Sequence, residues 1–388
     1  MKVDPLILFL LTDGIPPYVM GGMQKHSRLL AEYVAQLGVK VTLYHCVDRK
    51  EDVDDEAVRM SFSKAARQHI TIRTFLYEDT GKLPGHYLRA QKRLSQLYFD
   101  QLLKEEHQPD FIYTKGYVGS EALKRKNQLP FSCKIGVKFH GMNMYQKQPN
   151  FKGEVVKYML RPATRKIMNE ADVVFSYGGK ISQVIAKYLS KPSKIVEFPS
   201  GIAREWVRDE MELESMQEEM RFLFVGRFDR LKGLPELYKA LGFVSGQEWK
   251  LTIVGPIPKK DQFDHPKLEF MGPIYAEEEL KNIYDRHHVL LCPSISEGMP
   301  NVILEAMARG LAVIATDVGA TQILVNSENG WLIPPGDIKA IYSVMNAALD
   351  TATIKLDNMR KISIDRMRSN FVWEEIAVCF VKWLGSIG

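Results

Sequence analysis

Runs of four to seven mostly apolar residues alternate along this chain with longer stretches whose apolar positions recur every three or four residues. The first kind suits a strand buried on both faces, the second a helix that covers it. Strands are predicted at LILFLL (6–11), KVTLYHC (40–46), FIYT (111–114), KIGVKFH (134–140), DVVFSY (172–177) and KIVEFP (194–199). A charged segment (204–220) separates these from a second series: RFLFVG (221–226), KLTIVG (250–255), LEFMG (268–272), HVLLCPS (288–294), AVIAT (312–316) and GWLIP (330–334). Strand and helix in alternation imply parallel sheets with helices on both faces. Two series make an α/β chain of two Rossmann-like domains facing across a cleft, and 388 residues are too many for one ordinary core. The expected boundaries are 1–202 and 203–371, with an amphipathic stretch (372–388) after them.

Ligands of parallel sheets bind at the carboxyl ends of strands, beside helix starts with unpaired N–H groups. After the first strand, Gly21 and Gly22 precede a helix patterned by Leu29, Leu30, Tyr33, Val34 and Leu37. Glycine lets a ligand approach the backbone closely there, or serves plain turn chemistry. His140 and Gly141 follow the fourth strand. An imidazole at that place can exchange a proton or hydrogen bond with a ligand, or bond only to a neighbouring loop. In FLFVGRFDRLKGLPELYKAL, Gly226 ends a strand and Arg227 and Lys232 precede a helix. Two cations at a helix start suit a diphosphate; the alternative is solvated loop charge.

The stretch SISEGMPNVILEAMARG (294–310) sets Glu297 in a loop and Glu305 inside the helix that Pro300 opens and Gly310 ends. About 8 Å of helix axis lies between the helix start and Glu305. An anion site then stands between two carboxylates, as a nucleotide sugar requires: diphosphate at the helix start, ribose hydroxyls at Glu305, sugar hydroxyls at Glu297. The alternative makes Glu297 an acid favoured by the helix dipole and Glu305 a surface residue. Glu305 stands among Ile303, Leu304, Ala306 and Met307, and a buried acid needs a partner.

Charge changes the picture next. The net +5 divides into +11 for residues 1–200 and −6 for residues 201–388. A basic half fits an anionic surface or substrate, or is unevenly placed solvated charge. In the stretch 81–104, Lys82, Arg89, Lys92 and Arg93 share a helical pattern with Leu94, Leu97, Tyr98 and Leu102. Such a helix either lies on an anionic membrane or covers the domain core. No apolar run is long enough to span a membrane. The scattered Cys46, Cys133, Cys292 and Cys379 read as reduced thiols of a cytoplasmic protein. A nicotinamide-dependent oxidoreductase lacks its glycine fingerprint here, and no aromatic-basic motif points to nucleic acid. Asp52 and Asp54 form a D-x-D in a charged surface stretch, where no metal is expected.

Taken together, GIPPYVMGGMQKHSRLLAEYVAQLG, FHG, PSGI, VGRFDRLKG, CPSISEGMPNVILEAMARGLAVIATDVGA and NGWLIPPGD resemble, in order and over nearly the whole chain, the retaining GT-B glycosyltransferases of family 4. The hallmark of that group is E-x7-E. The resemblance implies an acceptor site in the first domain, a nucleotide-sugar site mainly in the second, and a terminal helix crossing back onto the first. It assigns the diphosphate to Arg227, Lys232 and the Gly22 backbone, with Gly21 and Gly226 in the same loops. Glu305 takes the ribose; Glu297 takes the sugar, with Gly298, Met299, Pro300, Asn301 and Val302 beside it. His140 stands near the reacting end, and Pro273 and Ile274 line the nucleobase. The implied catalytic set is His140, Glu297, Arg227 and Lys232. The implied activity needs no cofactor and no metal: a hexose-type sugar passes, with retained configuration, to a glycan, glycolipid or small-molecule hydroxyl in bacterial-type surface polysaccharide, glycan or glycolipid synthesis. An epimerase, a phosphorylase and a non-catalytic nucleotide-sugar-binding partner are the alternatives. The expected location is the cytoplasm, with peripheral contact at the inner face of the membrane left open. Ala320, Gln322 and Ser200 depart from residues common in the family and bear on donor specificity.

Overall fold

In this computed structural model every predicted apolar run forms a strand. The structure describes residues 5–387 apart from 79–80, 82–84, 149, 210, 212, 214–218, 247 and the Lys152 side chain. Lys82 and part of the charged 204–220 segment therefore lie outside the described residues. The first sheet comprises β1 (Ile7–Leu11), β2 (Lys40–Val47), β3 (Ile70–Leu76), β4 (Phe111–Lys115), β5 (Lys134–Lys138), β6 (Val173–Ser176) and β7 (Ile195–Glu197), in the order β3-β2-β1-β4-β5-β6-β7. The second comprises β8 (Met220–Val225), β9 (Trp249–Val254), β10 (Leu268–Gly272), β11 (Val289–Cys292), β12 (Ala312–Thr316) and β13 (Gly330–Ile333), in the order β10-β9-β8-β11-β12-β13. All the pairings are parallel. Central strands such as β4 and β12 are buried at every residue, as helices on both faces require.

The strand β3 is absent from the predicted set. Its sequence, ITIRTFL, alternates polar and apolar because it edges the sheet and is half-covered. A search for apolar runs passes over such a strand, whereas a search at period two finds it. The helix His86–Leu102 turns Leu94, Tyr98 and Leu102 into the core beneath it, so its domain covers three of the four apolar residues named above and leaves Leu97 exposed. No helix among the described residues is long and apolar enough to cross a membrane.

The helix Trp373–Ser386 crosses back onto the first sheet. Trp373 stacks on Tyr33 with ring centroids 6.1 Å apart, and Trp383 meets Phe175 at 5.2 Å. Burying rings of this size on the far domain ties the two halves together. Across the cleft the carboxyl ends of the sheets face each other in contact. Lys180 pairs with Asp317 at 2.7 Å, and Ser296 donates to the Asn143 side-chain oxygen at 3.1 Å.

Candidate active site

Two loops bring Lys232 over Glu297. Gly233 opens the helix Leu234–Leu241 with φ 72°, and a Cβ there would collide with the Pro293 carbonyl. Only glycine lets the Lys232 turn press against the segment that leaves β11. Lys232 Nζ then donates to Glu297 Oε1 at 2.6 Å, and Ser294 Oγ donates to the same oxygen at 2.8 Å. Burial, the largest single influence, would lower the Lys232 pKa; the charge and hydrogen bond of Glu297, with Cys292 and Asp229, together outweigh it and raise the pKa, so the amine stays charged.

One residue after Glu297, the halves touch backbone to backbone, since a Cβ on Gly298 would collide with the His140 carbonyl. Gly21 caps the helix Gly22–Gln36, and the helix Asn301–Ala308 has Pro300 as its cap. Both helix starts reach the same point: a Cβ on Gly22 would stand 3.3 Å from His140 Nε2 and 3.4 Å from Asn301 Nδ2. Met299 is buried beside them, its sulfur accepting from the Ser200 N–H at 3.1 Å, and Val302 is half-buried in the first turn. Gly310 ends the helix with φ 80°.

Glu305 is buried on this helix and fully partnered, by Lys25 Nζ at 2.8 Å on one oxygen and the Tyr284 hydroxyl at 3.0 Å on the other. It is not a surface acid. A cavity of about 480 Å³ opens beside it between the two halves, lined by Lys25, Trp206, Glu277, Asn301 and Leu304 among others. Its lining excludes Arg227, Lys232, Pro273 and Ile274. Gly226 holds the β8 end against β9, its N–H donating to the Val254 carbonyl at 2.9 Å. Arg227, next along, is exposed; its carbonyl accepts from the Asp229 N–H at 2.8 Å, and its side chain makes no hydrogen bond or ion pair among the described residues. Pro273 is exposed after β10, and Ile274 packs on the core. The structure thus unites Gly22, His140, Lys232, Glu297, Gly298, Asn301 and Glu305 around one helix start, while Arg227, Pro273 and Ile274 stand in neighbouring loops and make no hydrogen bond or ion pair with them among the described residues. Asp54 caps the helix Asp55–Met60 and Asp52 pairs with Arg49, so the D-x-D serves local structure.

Behind His140 lies a polar cluster that the sequence pattern hides. The register of β4 on β5 sets Lys115 opposite Lys138, both buried at the carboxyl ends of their strands. The buried His26 ring lies between them, Nδ1 2.8 Å from Lys115 Nζ and Nε2 3.3 Å from Lys138 Nζ. A neutral imidazole accepts at one nitrogen and donates at the other, so one of the two amines must be neutral for both bonds to hold. Burial drives both lysine pKa values down, that of Lys115 to about 7. The legible signal was a lysine ending an otherwise apolar buried strand.

His140 Nδ1 meets the Tyr177 hydroxyl at 2.6 Å, which leaves Nε2 as the ring atom toward Gly22. Burial, then the charges of Lys115, Lys138 and Lys232, push His140 down to about 3. It is a neutral imidazole above that pH. In the unfolded chain histidine titrates near 6.5. As pH falls from there toward 3, the unfolded chain takes up a proton that the fold refuses, and stability declines. The melting temperature should therefore fall with acidification below about pH 6, more shallowly in His140→Gln; equal slopes in the two proteins would contradict this assignment.

A family model described as Glycosyltransferase Family 4 matches residues 20–206, and one described as Glycosyl transferases group 1 matches residues 219–351. The chain belongs to glycosyltransferase family 4. This family 4 chain is 26% identical over 224 residues to the capsular polysaccharide biosynthesis glycosyltransferase CapM of Staphylococcus aureus, a match that covers 52% of the chain and 59% of CapM. Sucrose-phosphate synthase from Thermosynechococcus elongatus shares its fold with TM-score 0.79 at 20% identity over 99% of both chains. Anabaena HepE in complex with UDP does so with TM-score 0.67 at 17% identity, over 98% of this chain and 100% of HepE. Two Rossmann-like domains with a returning terminal helix are the GT-B fold.

Proposed function

We propose that this family 4 chain transfers a sugar, with retained configuration and without a metal, from a nucleoside diphosphate sugar to an acceptor hydroxyl during surface polysaccharide synthesis. One observation carries the reading: the start of the helix Asn301–Ala308 is flanked by two lysine–carboxylate pairs, Lys232–Glu297 and Lys25–Glu305, at the meeting of both sheets. Each pair is neutral without a ligand. An arriving diphosphate draws Lys232 to its oxygens, beside the helix amides, and frees Glu297 for the sugar hydroxyls. Glu305 takes the ribose, and Pro273 and Ile274 border the base. The anomeric C–O bond to phosphate breaks, the acceptor oxygen bonds to that carbon on the same face, and its proton passes to the departing diphosphate. Arg227, Lys232 and the helix start stabilise the charge that builds there. Neutral His140 offers Nε2 to the reacting end. The capsular role in CapM's name and the UDP held by HepE support the substrate class.

A thermal-shift series with UDP, GDP, ADP and TDP sugars tests the donor. At a hundredfold excess over Kd a matching donor stabilises the fold by about 2.7 kcal/mol. No shift with any of the four, or a chelator that abolishes transfer, would sink the corresponding part of the reading.

A further inference from the structure

The helix Phe151–Glu170 leaves an apolar stripe uncovered. Phe151 is 84% exposed, Tyr158 59%, Met159 46% and Val155 44%. At positions i, i+4, i+7 and i+8 these four share one helix face, and Val156, 45% exposed, lies beside them. Soluble surfaces scatter single apolar residues and seldom line up large ones. The same face runs on to Arg165 and Lys166, both exposed. Residues 147–166 hold six Lys and Arg against the single acid Glu154, which is bridged to Lys157. The Arg161 guanidinium lies over the Tyr158 ring at 4.3 Å, so a cation accompanies the aromatic.

We propose that this helix face docks on an anionic lipid bilayer. Apolar side chains enter the boundary between headgroups and acyl chains while flanking cations meet the anionic headgroups. Charge selects this occupant. In a symmetric pair of copies the stripe would meet itself, and the surrounding cations would face like charge. An anionic bilayer offers the complementary sign and a plane wide enough for an exposed helix. The opposite side of the helix, through Lys157 and Leu160 with Val156 at its edge, lines a cavity of about 380 Å³ together with Asp229, Arg230 and Leu231, the turn that ends in Lys232. Taken with the proposed transfer reaction, docking delivers an acceptor carried in the bilayer to that turn; docking itself does not rest on that reaction.

Co-sedimentation with vesicles of phosphatidylcholine, with and without about one quarter phosphatidylglycerol, tests the proposal. The chain should sediment with the anionic vesicles only, and less so as salt rises. Phe151→Ser/Val155→Ser/Met159→Ser should cut that binding by about tenfold or more, whereas Leu97→Ser on the helix His86–Leu102 should not. Unchanged melting of the triple variant, and an unchanged melting shift with the nucleotide sugar, separate loss of docking from loss of fold or of the donor site. Failure of the parent chain to sediment with anionic vesicles, parent-like binding by the triple variant, or a dimer of the parent that the variant dissolves would each overturn it.

Discussion

Replacing Arg227 with alanine should slow sugar transfer by a hundred- to a thousandfold and leave the melting temperature where it is. The two halves of that expectation have separate physical grounds. In the fold, the Arg227 side chain is exposed and makes no hydrogen bond or ion pair among the described residues, so its removal breaks no polar contact and buries no orphan. In the reaction, it stands in the loop that leaves β8, at the sheet edge facing the cleft, with a planar fork suited to two phosphate oxygens. One preorganised contact to charge developing in the transition state is worth about 2.7–4 kcal/mol, which is the stated loss in rate. Arg227→Lys keeps the charge and loses the fork, so it should recover part of the rate. Initial rates at saturating donor, read beside melting curves, decide the matter. Parent-like turnover in Arg227→Ala would remove this residue from the site, and a lowered melting temperature would reveal a structural role instead.

The fold was legible because parallel strands buried on both faces are written as apolar runs, and β4, β11 and β12 are such runs. The edge strand β3 was not, because half of it meets solvent. Glu305 was legible as a buried acid from its four apolar neighbours, yet its partners Lys25 and Tyr284 were not, since Lys25 lies 280 positions away across the cleft and Tyr284 reaches it from a separate helix 21 positions back. The Lys115–His26–Lys138 cluster depends on strand register and on a helix packed across it, neither of which a linear pattern contains. The apolar stripe on Phe151–Glu170 escaped for the opposite reason. Its residues look like core positions in sequence, and only the packing shows that no core covers them.

Lys232 and Glu297 should behave as one unit in rate and as two opposed charges in stability. The pair is partly buried, with side-chain exposures of 29% and 13%. Lys232→Ala leaves the Glu297 carboxylate with Ser294 Oγ alone, and a half-desolvated charge without a counterion costs about 1–3 kcal/mol. Removing both charges in Lys232→Ala/Glu297→Ala relieves that cost, so the double variant should melt higher than the single one. Its rate should nonetheless stay at the level of Lys232→Ala, about a hundredfold or more below the parent, because the leaving diphosphate still lacks its cation and the sugar has lost its carboxylate. A structural ion pair behaves otherwise: stability and rate would return together in the double variant. Recovery of parent-like turnover there would make the pair a brace between two loops, and the chemistry would have to be sought elsewhere in the cleft.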